Sequence, residues 1–316
     1  MARTSEHFTL DDAGTGRTVA PSLAFALWSS LRPHQWTKNL VIFAALVFGL
    51  RLFDHTALFS AWVTFVAFCL LSSAVYIGND ISDRTADRQH PLKRSRPIAS
   101  GALAVPVAGA AATCLAIAGL SATFAVSPRV GATATAYLVL QALYTTLLKH
   151  VAILDLLAVA GGFVLRAVAG AEAVAVGISH WLLICTLLLA LFLVLAKRRH
   201  ELVALADGAP THRPILGEYS PYLLDQMIAI VAAALLLAYI LYATHPDTTA
   251  RFGTPLVGLT IPFPLYGVLR YLFLVHRREG GGNPSDLLIS DKPLLACVAL
   301  WMMAVVAIVY WGPSGH

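Results

Sequence analysis

Long apolar stretches separated by short polar ones are the feature that most constrains how this chain can fold. Most of them approach the roughly 20 helical residues that cross the hydrocarbon core of a bilayer. They are rich in Leu, Ala and Val and lack the alternating polarity of a membrane β-barrel. We therefore expect an all-α integral membrane protein with about nine transmembrane helices, at 39–53, 58–77, 102–126, 130–147, 152–171, 180–196, 224–244, 255–275 and 293–311.

The distribution of Lys and Arg predicts how these helices are oriented. If the N-terminus is cytoplasmic, most of the 22 basic residues lie in cytoplasmic loops, and Arg51, Arg129 and Arg251 fall on the opposite face. Cytoplasmic loops are enriched in such residues. We expect a multi-pass protein of the inner (plasma) membrane, with its N-terminus and active site on the cytoplasmic side. The net charge of +5 then marks one membrane face and is no sign of nucleic-acid binding.

The remaining organisation is simple. Residues 1–24 are predicted to form a disordered cytoplasmic tail, because they lack the basic start, apolar run and cleavage site of a signal peptide. Residues 25–316 are expected to form one transmembrane domain, since no internal repeat is visible and only one apolar run follows the Gly-rich loop at 280–284. The four Cys residues are far apart within apolar runs and are interpreted as small buried side chains.

The polar segment directly after the second apolar run carries most of the chemical information. If the helix continues into it, Asn79, Asp83 and Asp87 lie at i, i+4 and i+8, with Asp80 beside them, so that they share one face. Stacked carboxylates repel each other unless a hard divalent cation is there to compensate. Mg²⁺ binds a few carboxylates together with substrate phosphate oxygens. The spacing therefore predicts a Mg²⁺ site that holds a diphosphate.

Basic residues follow the acidic ones at once. His90-Pro91 should end the helix, and Lys93, Arg94 and Arg96 then come as phosphate-binding cations. The alternative is a solvated loop whose Asp and Arg side chains form surface pairs, each worth about 0.3–0.5 kcal/mol. Helical spacing of the acidic residues at a membrane boundary favours the metal site.

At this point the chain resembles a known family. Asn79-xxx-Asp83-xxx-Asp87, with Arg96-Pro97 downstream, is similar to the first Asp-rich motif of the UbiA prenyltransferase superfamily, and the nine-span layout resembles that family too. The resemblance implies a ring of helices around a central cavity. It also implies Mg²⁺-bound diphosphate near the cytoplasmic face and a long isoprenoid in an apolar channel.

Within the superfamily, the chain resembles the decaprenyl-phosphate phosphoribosyltransferase branch. Aromatic prenyltransferases of the family have a second Asp-rich motif after the sixth span, whereas this chain is basic there, with Glu201 and later Asp207 as its carboxylates. The segments that carry the branch resemblance are 31–39, 87–94, 144–150, 165–170 and 195–202.

The branch resemblance implies transfer of a 5-phosphoribosyl group from phosphoribosyl diphosphate to a polyprenyl phosphate, with release of diphosphate. Asp80, Asp83 and Asp87 would be the catalytic carboxylates and, with Asn79, would bind Mg²⁺. The candidates for binding substrate phosphates are Arg88, Lys93, Arg94, Arg96, Lys38, Lys149, Lys197 and Arg198. Topology and contacts with anionic lipids are the alternative for Lys38, Lys197 and Arg198. The sequence does not divide these cations between the acceptor phosphate and the ribose 5-phosphate.

Four further residues are weaker candidates. Arg166 is an ionisable group within an apolar segment, where a charge usually faces a partner or a wet cavity. Its expected partner is Asp155 or Glu172, through a tertiary contact, and Asp155 could instead cap a helix end. Tyr144 could bind a phosphate or anchor a helix at the membrane interface. Glu201 completes this group, and no His or Cys spacing suggests zinc.

Two other functions stay open at this stage. The first is an aromatic prenyltransferase that would use the same Mg²⁺ site for a polyprenyl diphosphate. The second is a transporter of phosphorylated or lipid-linked cargo, although the polar motifs are concentrated on one face and no internal repeat is visible. The sequence sets neither the lipid's chain length nor the oligomeric state.

Overall fold

The computed structural model describes residues 22–91, 93–205, 214–277, 287–288 and 290–312. Within these ranges every regular element is a helix. The α-helices are α1 Leu23–Leu31, α2 Ala44–Phe48, α3 His55–Ser82, α4 Arg84–Gln89, α5 Pro97–Ser100, α6 Val105–Val126, α7 Pro128–Thr146, α8 Leu154–Ala173, α9 His180–Leu205, α10 Pro221–Thr244, α11 Pro246–Phe252, α12 Pro262–Arg277 and α13 Lys292–Trp311. The 3₁₀ helices are Pro33–Phe43, which we call the N-terminal 3₁₀ helix, Leu148–His150, Pro214–Glu218 and Pro255–Thr260.

Polar side chains set where the long helices begin. At the start of α3, Asp54 Oδ1 accepts hydrogen bonds from the N–H groups of Thr56 and Ala57 at 2.9 and 3.1 Å. Ser127 and Ser220 cap α7 and α10 in the same way, and each is followed by a Pro in the first turn. Such caps satisfy the otherwise unpaired N–H groups of a helix start. They define helix boundaries that an apolar run alone leaves uncertain.

Seven helical segments are long and apolar enough to cross a membrane. They are α3, α6, α8, α9 over His180–Ala204, α10, Pro255–Arg277 and α13. The all-helical fold class is confirmed, but the count of about nine transmembrane helices is not. Helix α7 forms over the predicted run 130–147 but is not among the seven, because Thr, Gln and Tyr residues interrupt its apolar character.

The run predicted at 39–53 does not form one continuous helix. Its first part belongs to the N-terminal 3₁₀ helix, α2 covers only five residues, and Leu50 then has a left-handed φ of 59°. A left-handed residue with a Cβ ends an α-helix. An ion pair of 2.9 Å between Arg51 and Asp54 follows immediately. This part of the chain therefore packs against α3 and α8 as an irregular segment.

Helices α3 and α8 are the most buried of the seven. In their apolar segments, 50% and 56% of the residues are buried, whereas at most 33% are buried in the other five. The N-terminal 3₁₀ helix packs against both. Ile42, Phe68, Tyr137 and Ala169 are almost completely buried and join this 3₁₀ helix to α3, α7 and α8. Their packing brings the polar residues of the 3₁₀ helix close to the middle of α8.

The predicted domain division stays a prediction. Residues 1–21 of the expected tail and the loop at 280–284 lie outside the described residues. All four Cys residues are free thiols, with Cys69 and Cys297 buried, Cys185 intermediate and Cys114 exposed. The expectation that every Cys is buried is therefore wrong for Cys114.

Substitution of Gly170 by Ala should destabilise the bundle. A Cβ at Gly170 would lie 2.1 Å from the carbonyl oxygen of Ile42, so α8 and the N-terminal 3₁₀ helix would have to separate. We expect a loss of about 1–3 kcal/mol, seen as a lower unfolding temperature in detergent. Gly109→Ala is the matched control, because nothing lies within 4 Å of that position in α6. It should be neutral or slightly stabilising. Equal unfolding temperatures for the two variants would contradict the close packing.

Candidate active site

The acidic motif lies at the junction of α3 and α4, and we call the end of the bundle that carries this junction the motif face. The N–H groups of Asp83 and Asp87 donate to the carbonyl oxygens of Asn79 and Asp83, both at 2.8 Å. Each bond spans four residues as in an α-helix. Asn79, Asp83 and Asp87 therefore keep the predicted helical register, although the assigned helix is interrupted at Asp83.

Two of the motif carboxylates share arginine partners. Asp80 Oδ1 lies 2.5 Å from Nη2 of Arg32 and 3.0 Å from Nη1 of Arg96. The same Arg96 nitrogen is 2.7 Å from Oδ2 of Asp87. Asp80 and Asp87 are only 4% and 3% exposed, so these contacts offset the cost of burying two like charges. Arg32 reaches Asp80 from a left-handed backbone position with φ 54°, a strained conformation for a residue with a side chain.

Asp83 faces a different cation. Its Oδ1 lies 2.9 Å from Nζ of Lys149, which belongs to the short 3₁₀ helix after α7. Asn79 also faces this part of the chain, because Oγ1 of Thr145 is 2.5 Å from its Oδ1. The Asp83 side chain is 44% exposed, far more than that of Asp80 or Asp87. The end of α7 therefore lies against one side of the motif, and Asp83 is its most accessible carboxylate.

The donor chemistry of the motif fits Mg²⁺. Asn79, Asp83 and Asp87 supply only oxygen donors, which this hard cation prefers. Within the part of the chain that the structure describes, no three His, Cys, Asp or Glu side chains are grouped to hold a metal among themselves. A site here would therefore use few protein ligands and would be completed by water and substrate oxygens, as is usual for Mg²⁺. The assignment of Asn79, Asp80, Asp83 and Asp87 as ligands stays a prediction.

The cations that follow the motif have different surroundings. Helix α4 ends directly before the His-Pro pair, as predicted. Arg88 donates its Nε to the carbonyl oxygen of Ala99 at 2.9 Å, which ties α4 to α5. Arg94 is exposed and Lys93 is partly buried. Arg96 has its guanidinium between two motif carboxylates, Asp80 and Asp87.

A second polar network joins the starts of α8 and α10 to the end of α9. Nη2 and Nε of Arg198 lie 3.1 Å from Oδ2 of Asp155, and the hydroxyl of Tyr219 donates to Oδ1 of Asp155 at 2.9 Å. Asp155 is 0% and Arg198 3% exposed. The N–H of Ile153 donates to the same Tyr219 oxygen at 2.7 Å, from a backbone with φ 69°. Burial raises the pKa of Tyr219 to about 12, so its hydroxyl stays protonated.

Arg198 therefore differs from the other phosphate-binding candidates. Its Nη1 also lies 2.8 Å from Oε2 of Glu201, so two carboxylates neutralise its charge. Lys197 is 3.8 Å from Glu201 and its side chain is 43% exposed. Tyr144 is partly buried and lies near Arg198. This geometry favours Lys197 over Arg198 as a phosphate ligand, and the roles of Tyr144 and Glu201 stay predictions.

Arg166 is surrounded by uncharged hydrogen-bond acceptors, and we call the group formed by Arg166, Asn39, Tyr137 and the Gly162 carbonyl the nest. Its Nε donates to Oδ1 of Asn39 at 2.7 Å, its Nη1 to the carbonyl oxygen of Gly162 at 2.9 Å, and its Nη2 to the hydroxyl of Tyr137 at 2.9 Å. The guanidinium carbon is also 4.7 Å from the centre of the Tyr137 ring. Arg166 is 4% exposed. Its hydrogen bonds are thus satisfied, but its charge is not neutralised by any of these contacts.

The predicted partners of Arg166 are wrong. Asp155 binds Arg198, and Glu172 lies 3.7 Å from Arg129. Both carboxylates belong to the same helix as Arg166, and at 1.5 Å per residue they are about 16 and 9 Å from it along the axis. The carboxylates nearest in sequence are therefore out of reach of the guanidinium.

Lys38 lies beside this nest on the N-terminal 3₁₀ helix. It is partly buried, and its charged neighbours are the cations Lys197, Arg166 and Arg32. Burial, together with these three positive charges, lowers the pKa of Lys38 to about 7. The candidate cations thus fall into two groups. Arg32, Arg96 and Lys149 bind motif carboxylates, whereas Lys38 and Arg166 form no ion pair with a carboxylate among the described residues.

Asn39 and Tyr137 are polar residues of this site that the sequence reasoning missed. The sequence places Asn39 at the start of one apolar run and at the end of the segment 31–39 that carries the branch resemblance, and it places Tyr137 within another apolar run. The signal that singled out Arg166, a polar group at membrane depth, applies to both. Because an Asn or Tyr carries no charge, that signal is weaker for them than for an arginine.

Comparison with known proteins gives the chain a family. The sequence profile of the UbiA prenyltransferase family matches residues 21–285. This range includes the acidic motif, the N-terminal 3₁₀ helix, α8 and α9. It therefore contains every candidate residue described above.

Two relatives and one solved structure extend this result. The chain is 32% identical over 316 residues to a decaprenyl-phosphate phosphoribosyltransferase of Corynebacterium glutamicum, which covers 98% of this chain and 95% of that protein. A protein of the same name from Mycobacterium tuberculosis is 33% identical over 298 residues, or 92% and 96% of the two chains. The structure of a UbiA homologue from Archaeoglobus fulgidus bound to GPP and Mg²⁺ has a TM-score of 0.68 at 18% identity, over 90% and 99% of the chains. The folds are therefore alike.

Substitution of Arg198 by Met should destabilise the protein strongly, because it leaves Asp155 buried without a cation. We expect a loss of about 3–5 kcal/mol. The double variant Arg198→Met, Asp155→Asn removes the orphaned charge and keeps an acceptor for the Tyr219 hydroxyl, so it should recover most of the stability. Thermal unfolding of the purified variants measures both effects. A double variant no more stable than Arg198→Met would show that the ion pair is not what holds α8 to α9.

Proposed function

The chain belongs to the UbiA prenyltransferase family, and we propose that it transfers a 5-phosphoribosyl group from phosphoribosyl diphosphate to a polyprenyl phosphate, with release of diphosphate. The two relatives that bear the name of this activity align with more than nine-tenths of the chain. The seven apolar helices and the family make it a multi-pass membrane protein. The proposal therefore concerns a membrane-bound transferase.

The observation that carries the proposal is the charge pattern of the motif face. A cluster of carboxylates at the α3–α4 junction is paired with the cations Arg32, Arg96 and Lys149. At the end of α9, where aromatic prenyltransferases resembling this chain would have a second Asp-rich motif, Glu201 is paired with Arg198 and Lys197. Asp207 lies outside the described residues. The motif thus groups several carboxylates, as a metal-bound diphosphate donor needs, whereas the described end of α9 combines Glu201 with two cations, which suits a phosphate acceptor.

The proposed roles follow from the donor types. Asn79, Asp83 and Asp87 would hold Mg²⁺ on the diphosphate of the donor, while Asp80 would position Arg32 and Arg96. The bound metal would offset the charge that builds on the leaving diphosphate. Arg96 and Lys149, which contact carboxylates in the structure, are long side chains that can turn to diphosphate oxygens. They would stabilise the same charge through charge-assisted hydrogen bonds.

The acceptor needs little chemical activation. A phosphate monoester is already anionic at neutral pH, so one of its oxygens can attack C1 of the ribose without a general base. A bond forms between that oxygen and C1, the bond from C1 to the diphosphate oxygen breaks, and the electron pair leaves with diphosphate. No proton has to move. Holding two anionic groups in line would therefore be the main catalytic task of the protein.

We further propose that the motif face is cytoplasmic, in the inner (plasma) membrane. Phosphoribosyl diphosphate is a soluble metabolite, and the basic residues of the chain are concentrated on this face. The N-terminus would lie on the same side, and residues 25–316 would act as one domain. This topology leaves the apolar chain of the acceptor within the bilayer.

The proposed phosphoribosyl transfer can be tested with the purified protein in detergent or nanodiscs. With labelled phosphoribosyl diphosphate, a polyprenyl phosphate and Mg²⁺, we expect lipid-linked phosphoribose and an equal amount of diphosphate. EDTA should stop the reaction, and excess Mg²⁺ should restore it. Transfer of a prenyl group to an aromatic acid, with no lipid-linked phosphoribose, would establish the aromatic activity instead. Uptake of cargo into vesicles without turnover would identify a transporter.

The single variants Asp83→Asn and Asp87→Asn should each have a kcat lower by about 100-fold or more, because both carboxylates are proposed to act on the charged leaving group. The folded protein should remain in the membrane. Asp247→Asn is the matched control, since that carboxylate is 91% exposed and lies at the start of α11. It should leave the rate unchanged. Full Mg²⁺-dependent activity in both motif variants would rule out these roles.

A further inference from the structure

The cations near the active site differ in whether a carboxylate neutralises them. Arg32, Arg96 and Lys149 lie within 3.0 Å of an acidic oxygen of the motif. Arg166 and Lys38 make no such contact with any described carboxylate. An uncompensated charge is costly inside a membrane protein and usually marks a ligand or ion path. The positive charges of Arg166 and Lys38 therefore require an explanation other than ion pairing within the protein.

The contacts of Arg166 are suited to holding its orientation without removing its charge. Each nitrogen of its guanidinium donates a hydrogen bond to one neutral acceptor, which belongs to Asn39, Tyr137 or the Gly162 carbonyl. Neutral acceptors satisfy the N–H groups of a guanidinium but leave its positive field in place. A purely structural cross-link between the helices would be better stabilised by an acidic partner, as Asp155 is for Arg198. The nest instead leaves a fixed cation able to attract an anion.

The nest lies deeper in the bundle than the acidic motif. Asn39 Nδ2 is 3.3 Å from Sγ of Cys69 and 3.4 Å from Oγ of Ser72, and both residues precede Asp80 on α3. At 1.5 Å per residue, these contacts are about 12–16 Å from Asp80 along the helix, away from the motif face. A soluble donor enters from the motif face, whereas a lipid phosphate is tethered to a chain within the bilayer.

Lys38 links the nest to the basic end of α9. It directly precedes the nest residue Asn39 in the chain, and after burial itself the charges of Lys197 and Arg166 contribute most to lowering the pKa of Lys38. Positive side chains from α8 and α9 therefore both act on Lys38 of the N-terminal 3₁₀ helix. Their mutual repulsion would be relieved by a bound dianion, since opposite charges favour the charged form of each group.

We propose that Arg166 and Lys38, assisted by Lys197, bind the phosphate of the polyprenyl acceptor, and that Arg32, Arg96 and Lys149 serve the diphosphate donor. This division rests on the proposed function and goes beyond it by separating the two substrates between two groups of cations. The apolar chain of the acceptor would lie in the bilayer-facing part of the bundle. Its phosphate would approach the donor from below the acidic motif.

The variant Asn39→Asp tests the inference. Aspartate has almost the shape of asparagine and can accept the same hydrogen bond from Nε of Arg166, but it adds a negative charge that neutralises the guanidinium. Binding is measured with purified protein in nanodiscs, using farnesyl phosphate as the lipid probe, farnesol as its uncharged counterpart and phosphoribosyl diphosphate with Mg²⁺ as the donor. Gln226→Glu is the matched control, because it adds the same charge on an exposed side chain of α10.

The expected result is selective. Asn39→Asp should weaken farnesyl phosphate binding by about tenfold or more, the effect of losing one charge-assisted contact. Farnesol binding, donor binding and the unfolding temperature should change little, and Gln226→Glu should bind all three probes like the wild type. Unchanged farnesyl phosphate affinity in folded Asn39→Asp, or a loss confined to the donor, would overturn the division. These binding outcomes do not depend on turnover, so a failure of the proposed reaction would be recognised separately, by the absence of lipid-linked phosphoribose in the wild type.

The pH dependence of binding gives a second readout. Burial and the charges of Lys197, Arg166 and Arg32 lower the pKa of Lys38 to about 7, so Lys38 is protonated below pH 7 and loses its charge above it. Wild-type affinity for farnesyl phosphate should therefore fall between pH 7 and 9, by up to about tenfold per pH unit. Lys38→Arg stays charged, so its affinity should be nearly constant over this range. The same decline in both proteins would show that Lys38 does not contact the phosphate.

Discussion

The cost of burying charge within a bundle of apolar helices governs where the polar side chains of this protein lie. Asp155, Asp80 and Asp87 are each less than 5% exposed, and each contacts an arginine from a different helix or loop. Removing either partner would leave a charge that the interior cannot solvate. These pairs therefore fix how the ends of the helices meet at the motif face. The fold and the site depend on the same contacts.

Local features of the site could be predicted from the sequence, whereas its tertiary contacts could not. The register of Asn79, Asp83 and Asp87 follows from helix geometry and persists across the break at Asp83. The contact of Asp83 with Lys149 joins residues that are 66 positions apart, and no local spacing reveals it. The same holds for Arg166, whose partners come from the 3₁₀ helix and α7 and not from the acidic residues of its own helix.

The fold was predictable to the extent that each helix is determined by its own apolar run. The run at 39–53 is the exception, because its shape depends on the neighbours it packs against. Gly170 has no Cβ, which lets the 3₁₀ helix approach α8 so closely that Asn39 reaches Arg166. A continuous α-helix over this run would point the side chains of Lys38 and Asn39 away from Arg166. The irregular backbone is tolerated since it is packed against α3 and α8 and not against lipid.

Two anionic substrates that react with each other pose an electrostatic problem that one metal site does not solve. Two unit charges 4 Å apart repel by about 4 kcal/mol at an effective dielectric constant near 20, and each substrate carries more than one charge. Carboxylates at the end of α9 would add to this repulsion, whereas Lys197 and the neutralised pair of Arg198 and Glu201 do not. On the acceptor side, Arg166 is held by neutral groups and is only 4% exposed, so its charge is not weakened by solvent. The basic segment at the end of α9 therefore suits an acceptor that carries a phosphate.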